Sequence, residues 1–328
     1  MIRVKLSTDF PYEPIIRQTP NSSGRWGDFE FIIDRECNEC DYWVVYNDLL
    51  QAETAVCPPQ NTIFITAEPP DIRGYKTEFM RQFARVITFH SNLNHPRVTL
   101  NQPGLNWHVG RVLTDIQNRR SIVNKTYDDF KGMHHFHKPK LMSLVTSSKT
   151  FTPGHRKRLE LVERLKAHFG ERLDVFGKGV REIDDKWDAI ADYKYHIALE
   201  NSYLPHYWTE KLADSYLAGA YPIYYGCPNL RDYFLPNAFT RIDVNDPSAA
   251  IAIIEQLIAS NKYENSLEAI MTARNKVLDE YNMFPMIVKL LRKGGRMRIS
   301  VNAGSQFTSI SYNSTGSGAR RKVTLRPI

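Results

Sequence analysis

The sequence predicts an α/β protein built from two parallel-sheet domains, and three observations carry that reading. Short runs rich in β-branched and aromatic residues alternate with helical stretches along most of the chain. The alternation restarts near Pro139, after a polar stretch holding His134, His135 and His137. The length of 328 residues is long for one core and ample for two domains of ordinary size.

In the first series, Ile2–Ser7, Asp28–Ile33, Tyr42–Tyr46, Thr62–Thr66 and Val86–Phe89 have the composition of strands. Tyr75–Ala84 has the pattern of a helix, while Pro11, Pro14 and Pro20 make the early connection irregular. Residues 1–137 are thus the expected N-terminal domain.

The second series runs through a strand at Leu141–Val145, a helix at His155–Phe169 and strands at Asp174–Phe176 and His196–Leu199. It continues with a helix at Thr209–Ala220, a strand at Pro222–Tyr225 and a helix at Ser248–Ile258. Residues 264–292 read as one or two further helices, interrupted near Pro285, which makes 138–293 the C-terminal domain. Two such halves predict a cleft, because open parallel sheets bind ligands outside the carboxyl ends of their strands.

The formal charge of +7 is located in the last stretch. Lys293, Arg296, Arg298, Arg320, Arg321, Lys322 and Arg326 stand there with no Asp or Glu, so the preceding 292 residues are formally neutral. The Ser-, Gly- and Asn-rich composition of 294–328 predicts a basic, solvated or disordered tail, with an anionic membrane surface or acidic polymer as its alternative partner. A chain whose basic excess is confined to such a tail is not expected to bind nucleic acid through its folded part. No run approaches a membrane span, and Met1–Asp9 does not form a signal-peptide core. Four scattered cysteines are too few for a disulfide framework, so a cytoplasmic, non-secreted protein is expected, at most peripheral to the inner face of a membrane.

The most informative stretch is Tyr193–Gly226. Leu212, Ala213, Tyr216, Leu217 and Ala220 define a buried helical stripe that leaves Lys211 and Asp214 outside it. Thr209 is the natural N-cap, and Gly219 with Pro222 marks the end. Lys211 then falls in the first turn, where a cation opposes the helix dipole unless an anion lies in front of it. The same anomaly recurs at His155, Arg156, Lys157 and Arg158, after Pro153-Gly154. Two cationic helix starts suggest one bound diphosphate, with solvated surface cations as the alternative. Glu200 and Asn201 follow a strand and are expected to project into the crevice, and Glu210 is placed to meet ribose hydroxyls or merely to suit the first helical turn.

Glu200-Asn201-Ser202, Tyr207-Trp208-Thr209-Glu210-Lys211-Leu212, Ala218-Gly219-Ala220-Tyr221-Pro222-Ile223 and Gly226 together resemble the signature of the family 10 glycosyltransferases, the α-1,3/1,4-fucosyltransferases. The likeness extends over about Leu141–Ile258 and touches the N-terminal half only at short points. It implies a GT-B architecture, two Rossmann-like α/β domains facing across a cleft, with GDP-fucose as donor substrate and inversion without a metal or other cofactor. By the same resemblance Lys211 and Arg156 would hold the diphosphate and Glu210 the ribose, with Glu200, Asn201 and Tyr207 lining the donor pocket. Glu68, in Thr66-Ala67-Glu68-Pro69-Pro70, resembles the family's Glu-bearing segment after an N-terminal strand and would be the catalytic base. The acceptor would be GlcNAc or glucose in an oligosaccharide or lipid-linked glycan, in α-1,3 or α-1,4 linkage. Another GDP-sugar is the alternative donor, and a polyanion- or membrane-surface-binding protein is the alternative of a different class. Leu199 and Trp208 depart from the residue types usual at their positions.

Other signals are weaker. Cys37-Asn38-Glu39-Cys40 is a single CxxC, short of the four ligands of a structural zinc. The histidines at 134, 135 and 137 read as a polar linker, and Asp128-Asp129 and Asp184-Asp185 as turns or helix starts.

Overall fold

The computed structural model describes the chain apart from residues 11–12, 34, 105, 116–119, 147–152 and 295–318. Its first eight strands are β1 (Ile2–Thr8), β2 (Arg25–Trp26), β3 (Phe29–Ile33), β4 (Tyr42–Tyr46), β5 (Glu53–Cys57), β6 (Thr62–Ile65), β7 (Arg85–Thr88) and β8 (Val98–Leu100). Seven of them form one sheet in the order β2-β3-β1-β4-β6-β7-β8, parallel except for the β2-β3 pair. Val4, Leu6, Val44, Ile63, Phe64 and Val86 are fully or nearly fully buried, as expected of a parallel sheet covered on both faces.

The helix expected over Tyr75–Ala84 is a single turn, α1 (Thr77–Met80). Its N-cap Lys76 makes no capping bond, so the helix start lacks the usual side-chain acceptor. Tyr75, Phe79, Met80 and Phe83 instead pack under β4 and β6 with Trp43 and Phe64.

A hairpin, β9 (Arg111–Asp115) and β10 (Arg120–Val123), and the helix α2 (Tyr127–Gly132) lead into the second sheet. Thr126 and Asp129 close a reciprocal capping box on α2, so the acidic pair at 128–129 is helix-start chemistry. The second sheet holds β11 (Lys140–Val145), β12 (Leu173–Phe176), β13 (Tyr193–Leu199), β14 (Tyr221–Tyr225) and β15 (Thr240–Arg241), in the order β12-β11-β13-β14-β15 and all parallel. Helix α3 (Pro153–Phe169) crosses from β11 to β12, α4 (Glu210–Leu217) from β13 to β14, and α5 (Pro247–Ala259) follows β15. The chain is therefore α/β with two parallel sheets, as the alternation of elements predicts.

Two features depart from the expected boundaries. After α6 (Leu267–Lys276) and a π-helical turn at Val277–Tyr281, the helix α7 (Met283–Gly294) leaves the second domain. It lays Met283, Phe284, Met286, Ile287, Leu290 and Leu291 on the first sheet, against Val4, Leu6, Phe31 and Ile65. Each such side chain withdrawn from water contributes about 1.5–3 kcal/mol, so α7 is a structural part of the first body. The break lies at Asn282, which exchanges side-chain bonds with Gln18. Pro285 sits in the first turn of α7, where the missing N–H has no intrahelical partner to lose.

The second departure lies in the tail. Residues 321–325 form β16 (Arg321–Leu325), antiparallel to β5, with Val323 opposite Ala55 and Leu325 opposite Glu53. Leu325 is buried in the apolar cluster that also holds Phe79 and Phe83, and Arg320 pairs with Glu39 and Asp41. This end of the tail is thus a strand rather than a solvated end, while 295–318 lie outside the described residues. Among the described residues no helix is long and apolar enough to cross a membrane.

The carboxyl edges of the two sheets face each other. Phe89, which follows β7, meets Tyr207, which precedes α4, with ring centroids 4.7 Å apart.

Candidate functional site

The start of α4 is assembled around one buried carboxylate. Thr209 caps the helix by accepting the backbone N–H of Lys211 at 3.3 Å. Glu200, directly after β13, accepts the Thr209 backbone N–H at 2.8 Å and the Thr209 hydroxyl at 2.8 and 3.0 Å. The sequence reading projects Glu200 into the crevice; the structure turns it inward, 1% exposed, as a brace for the helix cap. Gly226 makes room for it: a Cβ there, at φ +152°, would stand 2.4 Å from Glu200 Cγ.

Lys211 lies over this brace, its ammonium 3.0 Å from Glu210 Oε1 and 3.5 Å from Glu200 Oε2. The anion that a first-turn lysine calls for is therefore supplied in part by the protein. Burial disfavours the Lys211 charge, but Glu210 and Glu200 outweigh it and push its pKa up. Burial likewise works against the Glu210 carboxylate, yet Lys211, His108 and Lys186 hold it well below the usual carboxylate range. His108 and Lys186 each stand 3.8 Å from Glu210 Oε1.

Asp214, expected outside the buried stripe, is 1% exposed. It accepts the backbone N–H groups of His108 and Val109 at 3.0 and 3.2 Å and lies 3.6 Å from Lys186. It is an anchor between α4 and the segment that follows the first sheet, which is why a polar residue is tolerated there. Burial raises its pKa to about 6.

At the other cationic helix start the backbone of Arg156 lies in α3, and its side chain lies outside the described residues. Among the side chains described at this helix start, the one that reaches the site is Arg158, buried, whose guanidinium donates to Asn201 Oδ1 at 2.5 Å. Lys157 turns to Asn245 instead. Four consecutive basic residues give no sequence signal for which one faces inward; the helix phase, fixed by Leu161, Val162 and Leu165 in the core, turns Arg158 inward.

Opposite this cluster, on the edge of the first sheet, Glu68 follows β6. Its backbone is held from three sides: the Tyr75 hydroxyl accepts the N–H of Ala67 at 3.1 Å and of Glu68 at 3.0 Å, and the His90 ring lies 2.9 Å from the Glu68 carbonyl. Tyr75 in turn donates to Asn47, which donates to Asp9, and Arg73 bridges Asp9 and Asp48. The Glu68 side chain is half-buried. Burial raises its pKa first, Glu210 adds to the rise, and Lys211 opposes it, which places the Glu68 carboxylate within electrostatic reach of the cluster on α4.

Residues 136–268 match the model of "Glycosyltransferase family 10 (fucosyltransferase) C-term". This segment is similar to the C-terminal domain of the family 10 glycosyltransferases. The chain is 27% identical over 249 residues to Alpha-(1,3)-fucosyltransferase B of Drosophila melanogaster, covering 70% of this chain and 48% of that protein. It is 30% identical over 95 residues to Alpha-(1,3)-fucosyltransferase FucT of Helicobacter pylori, covering 27% of this chain and 20% of that protein. The chain therefore spans about half the length of the first relative and less of the second. A crystal structure of an alpha1,3-fucosyltransferase with GDP is similar at 17% identity, with a TM-score of 0.49 over 84% of this chain and 90% of that one.

The matched segment contains Arg158, Lys186, Glu200, Asn201, Tyr207, Glu210 and Lys211, whereas Glu68 and His108 reach the same cleft from outside it. Of the residues expected at the site, Asn201, Glu210 and Lys211 gather on one edge, with Tyr207 packed on Phe89 between the halves. Trp208, one of the two departures from the family 10 pattern, is buried among Tyr233, Phe234 and Tyr281, so its bulk is spent in the core. Lys186 and His108 were missed because both stand outside the motif and enter through tertiary contact alone.

Among the described residues no group of three or more His, Cys, Asp and Glu side chains is arranged to hold a metal ion. Cys37 and Cys40 are buried beside Cys57 in an apolar cluster, and His134, His135 and His137 are exposed.

Proposed function

We propose that this chain is an inverting glycosyltransferase that moves L-fucose from GDP-fucose to a hydroxyl of a GlcNAc or glucose unit in an oligosaccharide, in α-1,3 or α-1,4 linkage. The observation that carries the reading is the opposition of Glu68, on one sheet edge, to the Lys211–Glu210 cluster on the other. The family 10 match and the relatives named as alpha-(1,3)-fucosyltransferases support the same reading.

In this reading the acceptor hydroxyl attacks the anomeric carbon from the Glu68 side. Its proton passes to the Glu68 carboxylate as the new glycosidic bond forms. The bond to the phosphate oxygen breaks on the opposite face, and GDP leaves with the electron pair. Lys211, Arg158 and Arg156 compensate the charge that develops on the diphosphate, so that the reading assigns this work to protein cations and gives no metal a role. Glu210 and Asn201 would orient the nucleoside and sugar, and Glu200 acts indirectly by holding the cap that presents Lys211.

Parallel turnover of GDP-fucose and GDP-mannose with an oligosaccharide ending in GlcNAc tests the donor. Product from GDP-fucose is expected, and product from GDP-mannose alone would replace fucose by a related GDP-sugar.

A further inference from the structure

Tyr46 is the last residue of β4, on the carboxyl edge that also carries Glu68. Its side chain is 3% exposed and packs beside Ile65 and Ala67, with its ring 6.4 Å from that of Phe10. Its hydroxyl has no hydrogen-bond partner among the described residues. The neighbouring tyrosine of the same wall, Tyr75, has three partners, two backbone N–H groups and Asn47. A buried hydroxyl without a partner forfeits the hydrogen bonds it makes in water, and phenylalanine would pack the same apolar surface without that cost.

The surroundings define what would satisfy it. Glu68, Glu210 and Glu13 all lie within electrostatic reach of the Tyr46 hydroxyl, from three different elements. Three carboxylates disfavour an anion, and the cations nearby are already engaged: Lys211 by Glu210 at 3.0 Å and Arg111 by Glu13 at 2.8 Å. A neutral group that both donates and accepts fits best, and a sugar hydroxyl is such a group. We infer that the Tyr46 hydroxyl binds a hydroxyl of a sugar ring held between Glu68 and the α4 cluster, and is a specificity-determining residue of the site. The inference rests on the fucosyl-transfer reading for the presence of a sugar there. It is independent of which carboxylate acts as base.

The same contact can come from the transferred sugar or from the acceptor sugar, and Tyr46→Phe separates them. The variant is expected to melt no lower than the parent protein, and to bind GDP by calorimetry within about twofold, while transfer falls roughly tenfold or more. If the transferred sugar is the partner, the advantage of GDP-fucose over GDP in binding shrinks. If the acceptor is the partner, that advantage is kept and the acceptor KM rises. Overturning results are a Tyr46→Phe protein with unchanged GDP-fucose binding and unchanged transfer, or one whose melting temperature drops, which would give the hydroxyl a structural partner. Glu68→Gln, assayed beside it, keeps the two ideas apart. Full transfer by Glu68→Gln removes the base assignment and leaves Tyr46 to its own result, whereas loss in Glu68→Gln with none in Tyr46→Phe removes only the hydroxyl contact.

Discussion

The Thr209 hydroxyl lies 2.8 Å from Glu200 Oε2 while it accepts the backbone N–H of Lys211, so a single side chain ties the end of β13 to the first turn of α4. Glu200→Ala would leave the buried Thr209 N–H without its acceptor, which costs about 1–3 kcal/mol. The expected outcome is a lower melting temperature together with weaker GDP binding, because Lys211 loses one of its two carboxylate partners. Thermal unfolding and calorimetry on one preparation check both halves of this expectation.

Lys211 and Arg158 should be separable from Glu68 by what they bind. Lys211→Ala and Arg158→Ala are each expected to weaken GDP binding roughly tenfold or more, since charge-assisted bonds to phosphate are about twice as strong as neutral ones. Arg156→Ala tests the neighbouring cation in the same assay. Glu68→Gln is expected to leave GDP affinity nearly intact and to lower transfer by about 10²- to 10⁴-fold.

The pH profile follows from the direction of the Glu68 shift. A base must be deprotonated, and burial together with Glu210 raises its pKa above the ordinary glutamate value. Transfer at low acceptor concentration should therefore rise with pH through an acid limb displaced upward from about 4.3. Removing the opposing cation, as in Lys211→Met, should move that limb further up. An acid limb unaffected by both Glu68→Asp and Lys211→Met would assign it to another group.

Asp214 gives a stability prediction of definite sign. Its folded pKa, raised to about 6, lies above its unfolded value, so the folded state favours the protonated form. The associated stability is fully present below about pH 4 and is lost as pH rises through about 6, an effect of about 3 kcal/mol at most. Asp214→Asn keeps an acceptor for the His108 and Val109 N–H groups and removes the ionisation. Its unfolding free energy, measured between pH 4 and 7, should vary less with pH than that of the parent protein.

The tail prediction changes with the structure. Removal of residues from Gly294 onward would strip β16 from β5 and uncover the apolar cluster in which Leu325 is buried. Loss of stability is expected, and Leu325→Ala alone should cost about 2–5 kcal/mol, read by denaturant unfolding.

The second sheet could be read from sequence because βαβ units announce themselves locally: a short apolar run, then a 3.6-residue period, then another run. Even so, the helix expected at Thr209–Ala220 is shorter, since Gly219, at φ +70°, already lies past its end. What could not be read locally depends on partners far along the chain. β5 and β16 pair across more than 260 residues, and neither is long or apolar enough to stand out alone. α7 has a clear amphipathic face, but periodicity states that a face is buried and not which sheet buries it. The site followed the same division. Lys211, Glu210 and Asn201 lie within the motif, so their nearness could be read locally, while Arg158, Lys186, His108 and Tyr46 acquire their surroundings only when the two sheet edges meet.

The most direct measurement is the rate of fucose transfer from GDP-fucose to an oligosaccharide ending in GlcNAc, compared between the parent protein and Glu68→Gln at matched GDP affinity. The expected result is transfer by the parent and a rate lower by about 10²- to 10⁴-fold in the variant. No transfer by the parent protein from GDP-fucose, or equal rates in the two, would contradict the opposition of a base on the first sheet to a nucleotide site on the second.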